Sequence, residues 1–177
     1  MYLWTAADVS FSLAALRKEA QRHNHSLALS KTAFSLPQHI SLKISCSVDD
    51  AHFVHACQDI VSLLSSQSPF EVQPGTISRH RNILWLTIQE NNTLSSLHHQ
   101  LDELLLRKYK VPQHPFDTCF QFHSTLFMDD NEIKLDQMLS LLSDFPLPPS
   151  LYIQDYLIGC SESGKPGTYR VIRQIHV

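Results

Sequence analysis

The chain has 177 residues, 43% hydrophobic and 18% charged, with a formal net charge of −3. That balance fits one globular domain over residues 1–177 with a substantial core, and it excludes a protein that grips long duplex nucleic acid by charge. No apolar run is long enough to cross a bilayer, so no membrane partner is expected.

Residues 2–7 read as a strand. Asp8 reads as the N-cap of a helix from Val9 to about His23, with Phe11, Leu13, Leu16 and Ala20 at helical spacing. Residues 27–34 and 39–46 read as strands. Ser47-Val48-Asp49-Asp50 then opens a helix to about Ser65, with Phe53, Cys57, Ile60 and Leu64 on one face. After Pro69, residues 70–79 and 82–89 read as two strands joined near Arg81-Asn82. Thr93 reads as the cap of a helix to about Tyr109, whose apolar stripe is Leu94, Leu97, Leu101, Leu104 and Leu105. Pro112 and Pro115 break the chain before a strand over 118–128. Asp129 and Asp130 are expected to cap a short helix through Ser143, and Pro146 to Pro149 form a turn. Strands at about 151–160 and 168–176 follow, linked by the polar loop Ser161 to Gly167. Helices mixed with strands in this order predict an α+β sandwich whose second half loosely echoes the first.

Two of these strands carry the same chemical pattern, half a chain apart. They read Pro37-Gln38-His39-Ile40-Ser41-Leu42-Lys43-Ile44 and Phe120-Gln121-Phe122-His123-Ser124-Thr125-Leu126-Phe127. In a strand, residues i and i+2 share a face. His39 therefore projects with Ser41, and His123 with Thr125, while Ile40, Leu42 and Ile44 on one strand and Phe122 and Leu126 on the other turn to the core. With 11 histidines in the chain, the bare spacing also suits two unrelated strand histidines. The alternating apolar context, found at these two histidines, favours a pair facing one cleft. Two imidazoles and two hydroxyls around a phosphodiester supply acid–base chemistry near neutral pH. Lys43 shares the His39 face and would add positive charge there, or would stand in solvent as strand lysines commonly do.

His39-Ile40-Ser41-Leu42 and His123-Ser124-Thr125-Leu126 resemble the signature of the two-histidine (2H) phosphoesterases, the LigT-like or 2′-5′ RNA ligase-like group, which carries His-x-Thr/Ser-hydrophobic twice per chain. Met1 to Ala7 resembles that family's first strand and Thr168 to Arg173 its last. Members often have Pro directly before the first motif histidine, where this chain has Gln38; Phe122 holds the same place in the second motif. The resemblance implies two pseudo-symmetric lobes of antiparallel sheet backed by helices, flanking a central cleft. It also implies a phosphodiesterase acting on 2′,3′-cyclic phosphate or 2′-5′ linkages of nucleotides or RNA ends, with RNA ligation as a reverse activity. His39 and His123 would be the acid–base pair, and Ser41 and Thr125 would donate hydrogen bonds to the phosphate oxygens. Trp4 and Tyr169 match positions where the family places aromatics near the cleft, to stack on a base or to pack the core. No cofactor and no metal is expected. An alternative is a nucleotide- or RNA-end-binding module that keeps the cleft without turnover.

The remaining features carry less. Cys46, Cys57, Cys119 and Cys160 form no CxxC and read as small buried hydrophobes. Cys119 and His123 are too far apart along one strand for a thiolate–imidazole pair. His52 with His55, and His98 with His99, read as exposed helical histidines rather than metal ligands. Ser161 to Lys165 holds Gly-Lys without the earlier glycine of a phosphate loop. The N-terminus lacks a basic-then-apolar leader, so a cytoplasmic location is expected.

Overall fold

The computed structural model describes residues 1–177, apart from the side chains of Thr118 and Cys119. Strand β1 (Tyr2–Asp8) leads through helix α1 (Ala14–Leu27) and a 3-10 helix (Thr32–Ser35) to β2 (His39–Ser47). Helix α2 (Asp50–Ser65) precedes β3 (Phe70–Val72), β4 (Pro74–His80) and β5 (Ile83–Ile88). Helix α3 (Asn92–Tyr109) and a 3-10 helix (Pro115–Cys119) lead to β6 (His123–Met128). Helix α4 (Glu132–Leu142), β7 (Leu151–Ile153), β8 (Asp155–Ser161) and β9 (Arg170–His176) complete the chain.

The strands form three antiparallel sheets, in the orders β2-β1-β8-β9, β4-β5-β6 and β3-β7. The series β1-α1-β2-α2-β3-β4 corresponds to β5-α3-β6-α4-β7-β8, and β3 pairs with its counterpart β7 in a separate two-stranded sheet. The helices are exchanged between lobes. Helix α3, from the second series, packs on β2 and on α2, and α2 packs on β9, so both back the four-stranded sheet. Helix α4 packs on β4 and β5, with α1 against it, and these back the three-stranded sheet.

Local sequence explains these elements. Asp49 caps α2 by accepting from the Ala51 N–H at 3.1 Å, and Ala56, Ile60 and Leu64, one turn apart, form its buried stripe. Asn91 caps α3 by accepting from the Leu94 N–H at 3.0 Å, and the helix ends at Lys110 in the left-handed region, φ 57°. The buried face of α3 carries Leu94, Leu97, Leu101 and Leu105, and with them the polar His98 and Asp102.

Several expectations shift. Asp8 stays within β1 and accepts from the Ser10 N–H at 2.8 Å, so it closes a turn and α1 begins only at Ala14. Residues 27–34 do not form a strand: Ala28 turns left-handed at φ 53°. The Asn24 amide then takes both backbone groups of Leu29, at 2.7 and 3.1 Å, which removes them from any ladder. The stretch 70–79 splits at Gln73 into strands of different sheets. The strand expected from 118 begins only at His123, because the chain enters a 3-10 helix at Pro115. The helix after β6 is capped by Asn131, one residue beyond the expected Asp130.

Candidate active site

The first strand of each lobe and the motif strand beside it build the same unit twice. In β2 the side chains of Ile40 and Leu42 are fully buried while His39 and Ser41 are half-buried. In β6 Ser124, Leu126 and Phe127 are buried while His123 and Thr125 are half-buried. His39 Nδ1–H donates to the Pro37 carbonyl at 2.7 Å, and His123 Nδ1–H donates to the Gln121 carbonyl at 2.8 Å. Each imidazole is thus held through Nδ1 by the carbonyl two residues earlier, which leaves Nε2 as the free ring nitrogen.

A tryptophan on the neighbouring strand contacts each histidine. Trp4 meets His39 edge-on with ring centroids 4.6 Å apart, and its Nε1–H donates to the Ser41 hydroxyl at 3.3 Å. Ser41 accepts there and keeps its own proton for another acceptor. Trp85 lies 4.2 Å from His123, and its Nε1–H donates to Ser78 at 2.9 Å. His80 also stacks on Trp85, with rings 7° from parallel. Trp4 rests on Gly159, the residue opposite it on β8; a Cβ there would lie 2.5 Å from Trp4 Cε3. Among the described residues, no hydrogen bond engages the Thr125 hydroxyl.

Two buried side chains join the motif strands. Ser124 Oγ donates to the His39 carbonyl at 2.8 Å, and the Gln38 amide donates at 2.7 Å to both Ser124 Oγ and the Thr125 carbonyl. Gln38, the residue that stands where family members often have Pro, therefore bonds across the lobes. Arg17 holds the approach to the first motif by donating to the Phe34 and Leu36 carbonyls, both at 3.0 Å.

Burial pulls the His39 imidazole down to about 4, assisted by the positive charge of a protonated His123 and opposed by the Pro37 carbonyl. Burial also lowers His123, against the pull of the Gln121 carbonyl. Both rings are therefore neutral in the unliganded protein at pH 7.

A cavity of about 530 Å³ opens between the lobes beside these residues. Trp4, Ser41, Ile44 and Ser45 line it from the first lobe, and Trp85 and His123 from the second. The β4-β5 turn adds His80, Arg81 and Asn82, and the segment before β6 adds Phe116, Phe120 and Gln121. Phe116 is 71% exposed, unusual for a phenylalanine, and stands at this rim. Arg81 is held at φ 52°, a strained conformation for a residue with a side chain.

The structure brings His123, Ser41 and Trp4 to the cavity and sets His39 against Trp4. Neither His39 nor Thr125 lines the cavity itself, and two further expected residues lie elsewhere. Lys43 does not share the His39 face: register shifts on both sides of its pairing with Thr5 turn it inward, and it is 2% exposed. There its ammonium bonds Asp117 and lies 2.9 Å from Asp102. The same irregularity brings Ile44 to the cavity instead of the core. Tyr169 is half-buried beside Trp4, and its hydroxyl hydrogen-bonds Ser45, a cavity residue, and the Gly164 carbonyl. His98, expected on the surface, is 2% exposed, whereas His52, His55 and His99 are exposed. Cys160 is buried and Cys46 and Cys57 are half-buried, all as free thiols; the expectations for the Cys119 side chain lie outside the described residues.

Sequence reasoning missed Trp85, Gln38, Phe116 and Phe120. Trp85 left a usable signal: the chain has two tryptophans, and each stands on the strand that precedes and pairs with a motif strand.

Residues 6–155 match the family model described as the 2'-5' RNA ligase superfamily. No curated protein sequence matches the chain. Solved structures of the same fold include E. coli LigT in apo form, with 17% identity and a TM-score of 0.57 over 99% of this chain and 96% of that one. TT0787 of Thermus thermophilus aligns with 14% identity and a TM-score of 0.61 over 99% and 97%. Usb1 of Kluyveromyces marxianus aligns with 11% identity and a TM-score of 0.52 over 99% and 98%. E. coli LigT has also been solved complexed with phosphate and with 3'-AMP. Among the described residues, no helix is long and apolar enough to cross a membrane.

Proposed function

Since the chain belongs to the 2′-5′ RNA ligase superfamily, whose members are phosphoesterases and RNA ligases, we propose that it is a metal-independent phosphodiesterase acting on 2′,3′-cyclic phosphate or 2′-5′ linkages of nucleotides or RNA ends. The observation that carries this reading is the duplicated imidazole, each locked through Nδ1 and, among the described residues, with no hydrogen bond on Nε2, one ring lining the cavity and the other packed against Trp4, which lines it. Acid–base catalysis on a phosphodiester needs such a pair, and a binding module does not. The LigT complexes with phosphate and 3'-AMP favour a ligand of this class.

In the proposed hydrolysis of a cyclic phosphate, one Nε2 takes a proton from water as its oxygen attacks phosphorus. The other delivers a proton to the ribose oxygen as its bond to phosphorus breaks. His39, the more strongly lowered of the two, is neutral and is assigned as the base. His123 is assigned as the acid, its protonation favoured by the negative charge of the bound phosphodiester. Each transfer is worth ~10²–10⁴-fold in rate. Ser41, whose oxygen already accepts from Trp4, donates its proton to a non-bridging oxygen, and Thr125 does so from the other strand. Trp4, Phe116 and Phe120 offer apolar faces to a base, and Tyr169 supports this wall through Ser45.

The test is incubation in EDTA with the four nucleoside 2′,3′-cyclic monophosphates and with 2′-5′-linked oligoadenylate, beside the His39→Ala/His123→Ala double variant. Turnover by the wild type that disappears in the variant is expected. Turnover that survives in the variant, or that needs added metal, overturns the assignment. Binding of these nucleotides with no turnover would leave the non-catalytic module.

A further inference from the structure

A buried group of four charged and polar side chains lies outside the proposed chemistry. Lys43 of β2, His98 and Asp102 of α3, and Asp117 of the 3-10 helix before β6 are each 2–6% exposed. The Lys43 ammonium bonds Asp117 and stands 2.9 Å from Asp102 Oδ1. His98 Nδ1–H donates to the Leu42 carbonyl at 2.8 Å, and Nε2 faces Asp102 at 3.5 Å and Asp117 at 4.0 Å. The donor atoms of His98, Asp102 and Asp117 lie within 4.8 Å of one another, a spacing that suits a divalent ion. Here the cation beside both carboxylates is already the Lys43 ammonium, and a second would be repelled at this depth.

Burying four such groups is costly, and an apolar cluster would stabilise a core as well or better. What the group touches points to its use. Asp117 accepts from the His114 N–H at 2.6 Å and so fixes the turn that opens the segment 114–122. The His98 ring stacks on Phe120, centroids 4.3 Å apart and 22° from parallel, and Phe120 packs on Phe122. Between them lies Gln121, whose carbonyl holds His123 Nδ1–H at 2.8 Å. The counterpart carbonyl on the other lobe, that of Pro37, follows a segment held by Arg17, which donates to the Phe34 and Leu36 carbonyls.

We propose that Lys43, His98 and Asp117 are positioning residues for His123: they anchor the segment 114–122 so that the Gln121 carbonyl keeps the proton on Nδ1 and the cavity-side Nε2 free. This rests on the reading of His123 as a proton-transfer group only for its effect on rate; the tautomer it fixes is a property of the folded protein. A neutral imidazole that loses its carbonyl partner divides between tautomers, and Nε2–H then faces the cavity.

The experiment is side-chain ¹⁵N NMR of the histidines in wild type, Lys43→Met and Asp117→Asn at pH 7.5, with kcat and KM on any substrate found. In wild type, His39 and His123 each give a single pattern with the proton on Nδ1. Asp117→Asn keeps the Lys43–Asp102 pair and is expected to fold, whereas Lys43→Met leaves two buried carboxylates without their cation. In Asp117→Asn the His123 signals are expected to move to a mixture of tautomers while those of His39 stay. On a hydrolysed substrate kcat falls on the order of 10²-fold with KM within about threefold, as misplacement of a reacting group does. A folded Asp117→Asn variant whose His123 remains wholly Nδ1-protonated overturns the proposal and leaves the group a stability element. The NMR result stands even where no substrate is turned over, so it separates failure of this inference from failure of the proposed activity.

Discussion

Acidification tests the burial of His39 without any substrate. An unfolded chain protonates its histidines near the ordinary imidazole value of 6.5, whereas the folded His39 does so only at about 4. Between those values the unfolded state binds the extra proton, so stability present above pH 6.5 is lost progressively as the pH falls toward 4. The full gap corresponds to about 3 kcal/mol, and about 2.5 kcal/mol of it is lost by pH 4.5, less whatever hydration the half-buried ring keeps. The perturbation is His39→Asn, which keeps a donor where Nδ1 stands, toward the Pro37 carbonyl, and does not titrate. Urea unfolding of both proteins at pH 7.5 and 4.5, followed by circular dichroism, reads the difference. Losses from His123 and from every carboxylate occur in both proteins and largely cancel. With a urea slope of ~1–3 kcal/mol per molar, the wild-type midpoint falls by on the order of 1 M more than that of the variant. Midpoints that fall in parallel refute the argument, because they mean His39 is hydrated and titrates as it does in a free peptide.

Gly159→Ala puts a methyl 2.5 Å from the Trp4 ring and 3.0 Å from the Arg170 carbonyl. It should destabilise by about 1–3 kcal/mol in urea melts and lower turnover, since Trp4 is pushed off His39 and Ser41. Gln38→Ala leaves the part-buried Thr125 carbonyl without its partner across the lobes, while Ser124 keeps its bond to His39. A loss of about 1–3 kcal/mol by the same melts is expected, and an unchanged midpoint would show that water replaces the amide.

How much of this was legible depends on whether the information is local. The two motif strands are, because a period of two written in Ile40 and Leu42, or in Phe122 and Leu126, marks which side chains are buried. Most helices are legible for the same reason. The end of α1 is not: Asn24 bonds the backbone of Leu29, and no propensity forecasts that a side-chain amide will displace a strand there. Lys43 is the sharpest case. Strict alternation puts it beside Ser41, but the irregular pairing with β1 turns it to Asp102 and Asp117, residues far along the chain that carry no mark of the contact. Gln38 reads locally as a departure from a motif, and its partners Ser124 and Thr125 belong to the other lobe.

The duplicated architecture accounts for a pair of equivalent histidines, but in-line displacement at phosphorus requires inequivalent ones: one ring must start without the proton that the other carries. The motifs are too alike to supply that difference. Both histidines have the same Nδ1 lock, the same hydroxyl two residues on and a tryptophan against the ring. The surroundings diverge behind those contacts. On the first side Trp4 meets His39 with the ring planes near perpendicular, donates to Ser41 and rests against Gly159, with Asp8 opposite His39 across the strand pair. On the second side Trp85 spends its N–H on Ser78, so that no hydrogen bond among the described residues engages the Thr125 hydroxyl, and His123 itself lines the cavity. The segments that carry the locking carbonyls differ as well, one following carbonyls held by the cation Arg17 and the other tied to Lys43 and two carboxylates. In the proposed reaction the symmetric contacts aim the two Nε2 atoms, and the asymmetric ones decide which of them begins as base.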